Sequence, residues 1–302
     1  MLAHRDRHGL TMTADGLELL EAALDLTEIG PDTFEGPGDL DNEYGIFGGH
    51  LLGQGVIAAG RTVAADRPIH SLHAYFVSGA AASGDLTYRV ERVRDGGTFS
   101  HREVKAERDG RELFRLVASF HGKEPGPEFE AEPTGLPDGP GPSEVPSLPE
   151  LLDQASEPVF DDYWNNRPRA FDLHYVHAPW AQDGPDDDAG IRVWWRTPRP
   201  LGDDPLIHAA AAAFMADESI SDNILTPHGY TWTDEGLMVV SLDHAMWFHR
   251  PFRVDDWLLF TQRPLATFGA RGLAIGEIRD AAGRLVATAT QEALLRTPGP
   301  ST

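Results

Sequence analysis

The sequence predicts an α+β protein in which two antiparallel sheets each wrap around a long central helix. Two segments, 49–64 and 205–216, are rich in Ala and Gly and almost uniformly apolar. That composition is typical of a buried helix, because a surface helix shows a polar face. Four strand-like segments follow each of these helices. A proline-rich stretch separates the two sets and divides the 302 residues into halves of similar size.

The first half begins with a short amphipathic helix at about 17–26, followed by the apolar helix at 49–64. The strand-like segments that come next are 70–77, 86–94, 100–108 and 112–121. Gly96-Gly97 and Asp109-Gly110 supply turns between them, and Asp-Gly is the stronger hairpin signal. The half is therefore predicted to form one helix followed by an antiparallel meander.

The second half repeats this order. Strand-like segments at 171–176 and 191–196 lead into the helix at 205–216, and Ala282-Gly283 supplies a turn near the end. The four strand-like segments after the helix are 237–248, 257–264, 271–279 and 285–296. The repeated order indicates a duplicated unit, although the two halves share little similarity residue by residue.

The stretch 125–149 holds eight of the 23 prolines. Because proline lacks a backbone donor and fixes φ, neither a long helix nor a central strand is expected there. We predict an N-terminal domain over 1–122 with a helical leader, a linker over 123–169, and a C-terminal domain over 170–302.

Composition excludes several classes of function. The 25 basic and 48 acidic side chains give a formal net charge of −23, which argues against nucleic-acid binding and against docking on an anionic membrane. Cysteine is absent, which excludes disulfides, thiolate metal sites and a cysteine nucleophile. We predict neither a metal site nor a cofactor. The polar start and the lack of a long apolar run favour a cytoplasmic protein without a membrane span.

Two helix ends carry candidate functional groups. Gly48-Gly49-His50 opens the first apolar helix, where exposed backbone N–H groups favour negative charge. Tight packing would explain the same glycines. Asp217-Glu218 closes the second apolar helix, at the end where the helix dipole disfavours an acid. These acids are either solvated beyond the helix or kept for function.

The last strands add two further candidates. Gln291 is a lone amide on an apolar strand face, so it is either a satisfied core glutamine or a functional group. Ser241 lies near Asp243 and His244, but strand alternation predicts that His244 points to the opposite face from both. No G-x-S-x-G turn is present, so a Ser/His/Asp hydrolase is not favoured.

Several motifs in the right order resemble the acyl-CoA thioesterase II family, bacterial TesB-like enzymes with a double hotdog fold. The resemblance covers about 17–296, and LDHAMWFHRPF is the most specific motif. The segments that carry it are ELLEAALDLTEIGPDTFEG, IFGGHLLGQGVIAA, HSLHAYF, RDGGTFSHREVKAERDGRELFRLVASF, LTPHGY, LDHAMWFHRPF and LVATATQEALLR.

The resemblance implies a mechanism in which a water molecule attacks the thioester of an acyl-CoA. The residues that would hold this water are Asp217, Ser241 and Gln291, and the backbone N–H groups of Gly49 and His50 would receive the oxyanion. His50 stands where the family usually has Gln. The family's basic turn after HSxHxYF is replaced by SGAAASGD. The resemblance also implies a homo-oligomer.

Coenzyme A is a polyanion, so a protein of net charge −23 needs local cations to bind it. By position, the candidates are Arg61, Arg250 and Arg271. Two alternatives to hydrolysis stay open at this point. One is a hotdog enoyl-CoA hydratase or dehydratase, although no matching Asp/His pair is evident near Asp217. The other is an acyl-CoA-binding protein without catalysis.

Overall fold

The computed structural model of the protein describes residues 15–39, 42, 45–131, 139–155, 167–176 and 190–297. The predicted linker is covered only in part, since 132–138 and 156–166 lie outside the described residues, as do both chain ends. Within the described ranges, no helix has the length and apolar character needed to cross a membrane.

The first half contains the predicted helix and four strands, preceded by an additional hairpin. The predicted meander is wrong in one respect, because the strand Ile69–Phe76 pairs with the last strand, Arg111–His121, and not with Leu86–Asp95. α1 begins with a capping box between Asp15 and Glu18, which satisfies backbone donors at its start. The two strands of the hairpin have only four residues each, too short for a clear alternation of polar and apolar residues. The elements are α1 (Gly16–Leu24), β1 (Thr27–Gly30), β2 (Thr33–Gly36), α2 (Gly48–Gly60), β3 (Ile69–Phe76), β4 (Leu86–Asp95), β5 (Phe99–Arg108) and β6 (Arg111–His121).

The second half follows the same order after one short helix, α3 (Leu148–Gln154), which lies within the predicted linker. A capping box between Ser147 and Glu150 and a proline in the first turn stabilise its start. The other elements are β7 (Asp172–Tyr175), β8 (Arg192–Arg196), α4 (Pro205–Ala216), 3₁₀ helices at Ile220–Ile224 and Thr226–His228, β9 (Met238–Phe248), β10 (Leu258–Phe268), β11 (Arg271–Asp280) and β12 (Leu285–Arg296).

The sheets of the two halves join edge to edge. β3 pairs with β9 in antiparallel register, with Ala74 opposite His244. The strand order is β1-β2-β4-β5-β6-β3-β9-β12-β11-β10-β8-β7, so the twelve strands form one continuous sheet. The predicted double hotdog architecture is confirmed, and the β3–β9 pairing adds the way in which its two sheets meet.

The two central helices pack directly against each other in opposite directions. A Cβ atom at Gly49 would lie 2.4 Å from the Phe214 carbonyl oxygen, and one at Gly53 would lie 3.3 Å from that of Ala210. The small residues of α2 therefore serve helix–helix contact as well as close approach of the sheet. Because the helices are antiparallel, the N-terminus of α2 lies beside the C-terminus of α4, where positive and negative dipole ends attract.

Candidate active site

A cavity of about 500 Å³ lies where the first turn of α2 meets the last turn of α4. Its apolar wall suits an acyl chain, and several polar groups face the same space. The apolar lining residues include Ile46, Phe47, Trp232, Leu237 and Val239, and the polar ones include Arg169, Asp217, Glu218, Ser221, Asp222 and Ser241.

Asp217 caps the C-terminus of α4 and is only 7% exposed, so it is not solvated beyond the helix. Burial raises the pKa of its carboxyl to about 7, against the opposing effects of the Gln291 amide and the Gly49 backbone N–H. Its Oδ1 atom is buried and has no hydrogen-bond partner in the described structure. A buried acceptor without a partner is uncommon in proteins, which marks this carboxyl as a candidate functional group.

Gln291 is the centre of a buried hydrogen-bond cluster. Its side chain is 1% exposed, and its Nε2 donates to Ser241 Oγ at 2.9 Å and to Ser221 Oγ at 2.8 Å. Its Oε1 lies 2.5 Å from His244 Nδ1. The amide is thus fully partnered, and it connects two hydroxyls that line the cavity to a buried imidazole.

The orientation predicted for His244 relative to Ser241 is wrong. The register between β9 and β12 shifts between the pairs Asp243–Glu292 and Ser241–Ala293, which leaves Leu242 as an extra residue in β9. Such a bulge interrupts the alternation of side chains. Ser241 and His244 therefore face the same side of the sheet, and both reach Gln291.

Ser221 and His244 are site residues that the sequence reasoning did not select. Ser221 lies in the 3₁₀ helix after α4, four residues beyond Asp217. A spacing of four residues places two side chains on one side of a continuing helix, so the distance from Asp217 along the sequence is a signal that could have indicated Ser221. For His244, no signal in the sequence marks the bulge.

The predicted oxyanion donors lie at the start of α2, beside Asp217. The Gly49 N–H faces the Asp217 carboxylate, which lowers that pKa. The His50 N–H donates to the Phe47 carbonyl at 3.1 Å. The His50 ring is buried and its Nε2 lies 2.8 Å from the Pro37 carbonyl oxygen, so the side chain is turned away from Asp217.

The three predicted CoA-binding arginines are paired with acidic residues. Arg61 ends α2 on the side away from Asp217 and contacts Asp25 at 3.5 Å. Arg250 contacts Glu130 at 2.8 Å, and Arg271 contacts Glu292 at 3.0 Å. Among the described residues that line the cavity, none of these three occurs. Their role toward CoA stays a prediction.

A different arginine pair lies at the cavity. Arg167 binds both carboxylate oxygens of Glu218, and its guanidinium carbon lies 5.5 Å from the centre of the Phe47 ring. Arg169 is 4.0 Å from the same carboxylate and lines the cavity itself. Both come from the end of the predicted linker, which the sequence reasoning treated only as a spacer.

Comparison with known protein families gives two matches that together span most of the chain. Residues 178–294 match the acyl-CoA thioesterase model, and residues 37–121 match the acyl-CoA thioesterase N-terminal domain model. Human acyl-coenzyme A thioesterase 8 is 31% identical over 92% of this chain and 89% of its own length. Acyl-CoA thioesterase 2 of Haemophilus influenzae is 31% identical over 83% of this chain and 87% of its own.

Solved structures agree with these matches. An acyl-CoA thioesterase II, TesB2, from Mycobacterium marinum superimposes with a TM-score of 0.75 and 33% identity, covering 94% of this chain and 99% of its own. A hot dog fold protein from Alicyclobacillus acidocaldarius superimposes with a TM-score of 0.72 at 20% identity, covering 93% and 98%. The second likeness concerns the fold alone.

The continuous sheet around two antiparallel helices, with a polar cavity at their shared end, defines a double hotdog enzyme. With matches in both halves and relatives above 30% identity over most of the chain, the protein belongs to the acyl-CoA thioesterase II family. It is thus a thioester hydrolase.

Proposed function

We propose that this protein hydrolyses acyl-CoA to a free carboxylic acid and CoA, using a water molecule oriented by Asp217, Ser241 and Gln291. The observation that carries the proposal is the buried Asp217 carboxylate, whose Oδ1 has no hydrogen-bond partner among the described residues and which lines the same cavity as Ser241. The family to which the chain belongs supports the reaction class, and the geometry supports the choice of residues.

Asp217 acts as the general base. Water is a weak nucleophile, and removal of a proton as it attacks contributes about 10²–10⁴-fold to such reactions. The base works best when its pKa is near the working pH, and burial places that of Asp217 at about 7. The unpartnered Oδ1 accepts one proton of the water.

Ser241 and Gln291 fix the position of the water. Ser241 Oγ accepts a hydrogen bond from Gln291 Nε2, so its own hydroxyl proton is free to donate to a group in the cavity. A water held between this hydroxyl and Asp217 has few orientations left, and such positioning lowers the entropic part of the barrier.

The reaction is balanced without a protein nucleophile. The water oxygen bonds to the thioester carbonyl carbon, and its proton passes to Asp217. The negative charge that develops on the carbonyl oxygen is stabilised by the positive end of the α2 dipole. The N–H groups of Gly49 and His50 contact the Asp217 carboxylate and the Phe47 carbonyl, so either one must leave that contact to bind the oxyanion. Collapse breaks the carbon–sulfur bond, and the CoA thiolate takes the proton back from Asp217.

CoA release, followed with a thiol reagent over a range of acyl chain lengths, tests this proposal. The protein has no cysteine, so it contributes no background. Asp217→Asn is expected to lower kcat by about 10²–10⁴-fold. Wild-type protein that binds acyl-CoA without releasing CoA would instead support a binding protein. Conversion of an enoyl-CoA to a 3-hydroxyacyl-CoA, without free thiol, would support a hydratase.

Asp222→Asn is the matched control. Asp222 lines the same cavity, and burial also raises its pKa to about 7. Its Oδ1 accepts a hydrogen bond from Trp232 Nε1 at 2.8 Å, which an asparagine oxygen preserves. We expect this variant to keep kcat within a few-fold. Loss of activity in Asp222→Asn with full activity in Asp217→Asn would overturn the assignment of the base.

A further inference from the structure

We infer that His244 is a positioning residue that sets the orientation of the Gln291 amide. The inference rests on the proposed function, because it concerns the group that orders the attacking water. A glutamine amide has a donor end and an acceptor end, and it can turn either one toward the two serines. The Asp217 carboxylate favours the donor end on the serine side, and His244 on the other side holds the acceptor end in place.

The contact between His244 and Gln291 is short and enclosed. His244 Nδ1 lies 2.5 Å from Gln291 Oε1, and the His244 side chain is 0% exposed. The bulge at Leu242 is what brings the imidazole to this face, since regular alternation would turn it away. His244 contacts the cluster from the side opposite to the serines.

The protonation of the ring determines the direction of the contact. Burial lowers the pKa of His244 to about 4, so the ring is neutral near pH 7 and carries one proton. Nε2 is buried and has no partner in the described structure. A buried N–H without an acceptor is less tolerated than an empty acceptor, so the proton belongs on Nδ1. Nδ1–H therefore donates to Oε1.

The direction of the His244–Gln291 hydrogen bond determines the donor and acceptor roles of the other groups in the cluster. With Oε1 held by His244, Nε2 points to Ser221 and Ser241, whose oxygens accept from it. Both hydroxyl protons are then free to point into the cavity. If the amide were turned round, the serines would donate to Oε1, and neither could donate to the water.

A purely structural histidine is satisfied differently. His208, also buried, uses both ring nitrogens, since Nε2 contacts the Gly202 carbonyl at 3.1 Å and Nδ1 accepts from the Val254 N–H at 3.2 Å. Within the described ranges, His244 uses only the nitrogen that faces Gln291. Burial of an imidazole that leaves one ring nitrogen without a hydrogen bond costs free energy. The contact with Gln291 is therefore the feature that explains a histidine at this position.

Two substitutions separate the contact from general packing. Asparagine carries its NH₂ on Cγ, where histidine carries Nδ1, whereas glutamine carries it one carbon further out. His244→Asn is expected to keep kcat within about tenfold of wild type, and His244→Gln to lose about 100-fold, with KM little changed in both. His208→Gln is the control, with lower stability but normal kcat. Equal kcat values for the two His244 variants would overturn the inference.

Nitrogen chemical shifts of the wild-type imidazoles provide a measurement that does not depend on variants folding. A neutral His244 ring protonated on Nδ1 at pH 7 is the expected result, and protonation on Nε2 would contradict the inference. Normal kcat in His244→Gln beside an inactive Asp217→Asn would refute only the role of His244. An unaffected Asp217→Asn would count against the proposed function itself.

Discussion

The Asp217 carboxylate lies directly against the backbone of Gly48: a Cβ atom at residue 48 would stand 2.5 Å from Asp217 Oδ2. Asp217 ends α4, and Gly48 is the first residue of α2. The positive end of the α2 dipole therefore lies at the carboxylate, which offsets part of the cost of burying its charge. Only glycine leaves room for this arrangement.

Gly48→Ala is expected to reduce activity by displacing Asp217. The added methyl group would also lie 2.9 Å from the Phe76 ring, so it has no direction in which to relax freely. A displacement of about 1 Å in a catalytic group typically costs about 100-fold in rate. The measurement is kcat for CoA release, together with thermal unfolding to confirm that the variant is folded.

Gly53→Ala on the same helix is the control for this prediction. Its Cβ would contact Leu24 at 2.9 Å and the Ala210 carbonyl at 3.3 Å, away from Asp217. We expect lower stability but a kcat close to that of wild type. Similar losses of kcat in both variants would mean that α2 packing as a whole, rather than the contact with Asp217, controls the rate.

The pH dependence of the reaction should report the pKa of Asp217. Because the base must be ionised, kcat/KM is expected to rise tenfold per pH unit below about pH 7 and to level off above it. His244 stays neutral through this range, since its pKa is about 4. Asp222→Asn should keep the same profile. A midpoint near pH 4 would show that the base is a solvated carboxylate.

Asp217→Asn should also stabilise the fold at high pH. Burial raises the pKa of Asp217 to about 7, so the folded state holds a proton between about pH 4 and 7 that the unfolded state has lost. The free energy of unfolding from this group is therefore highest below pH 4 and falls as the pH rises through 7. This rise in the pKa of Asp217 corresponds to a change on the order of 1–4 kcal/mol in the free energy of unfolding.

Urea unfolding of wild type and Asp217→Asn at pH 8 and pH 5 tests this linkage. The variant should be more stable at pH 8, and the difference should shrink toward pH 4. Comparing the two proteins at each pH cancels the contributions of Asp222 and His244, whose pKa values burial also moves. A variant that is less stable than wild type at pH 8 would contradict the prediction.

The long elements of the fold were predictable because their patterns are strong. The apolar helix at Pro205–Ala216 and the strand at Leu285–Arg296 have the predicted bounds, since the Ala-rich core and the alternation in β12 leave little choice. α2 ends earlier than predicted, at Gly60, because apolar composition alone does not mark a helix end. The strand that contains Pro264 continues past it through a bulge, where the missing donor is tolerated.

The site was predictable only in part, because its geometry depends on contacts between distant segments. Helix-end and strand-face patterns marked Asp217, Ser241 and Gln291 as candidates, and the resemblance supplied their roles. The structure brings Ser241 to Gln291. The bulge that turns His244 toward them follows from pairing with β3 and β12, which no local pattern encodes. Arg167 reaches Glu218 from 51 positions away in the chain.

Arg169 lines the cavity, and we expect it to contribute more to CoA binding than the three arginines predicted from sequence. Arg61 lies at the far end of α2, and Arg271 pairs with Glu292 on the face of the sheet opposite Gln291. A charge-assisted contact to phosphate is worth about 1.5–3 kcal/mol, so Arg169→Gln should raise KM about 10- to 100-fold.

An acyl-pantetheine thioester, which has the same acyl and thioester groups but no nucleotide phosphates, separates phosphate binding from structural effects. KM for this substrate should be nearly the same in wild type and Arg169→Gln, while KM for acyl-CoA should rise in the variant and with ionic strength in wild type. Arg61→Gln, Arg250→Gln and Arg271→Gln should change the ratio of the two KM values less. Equal losses with both substrates would mean that Arg169 supports Glu218 and the cavity wall rather than CoA.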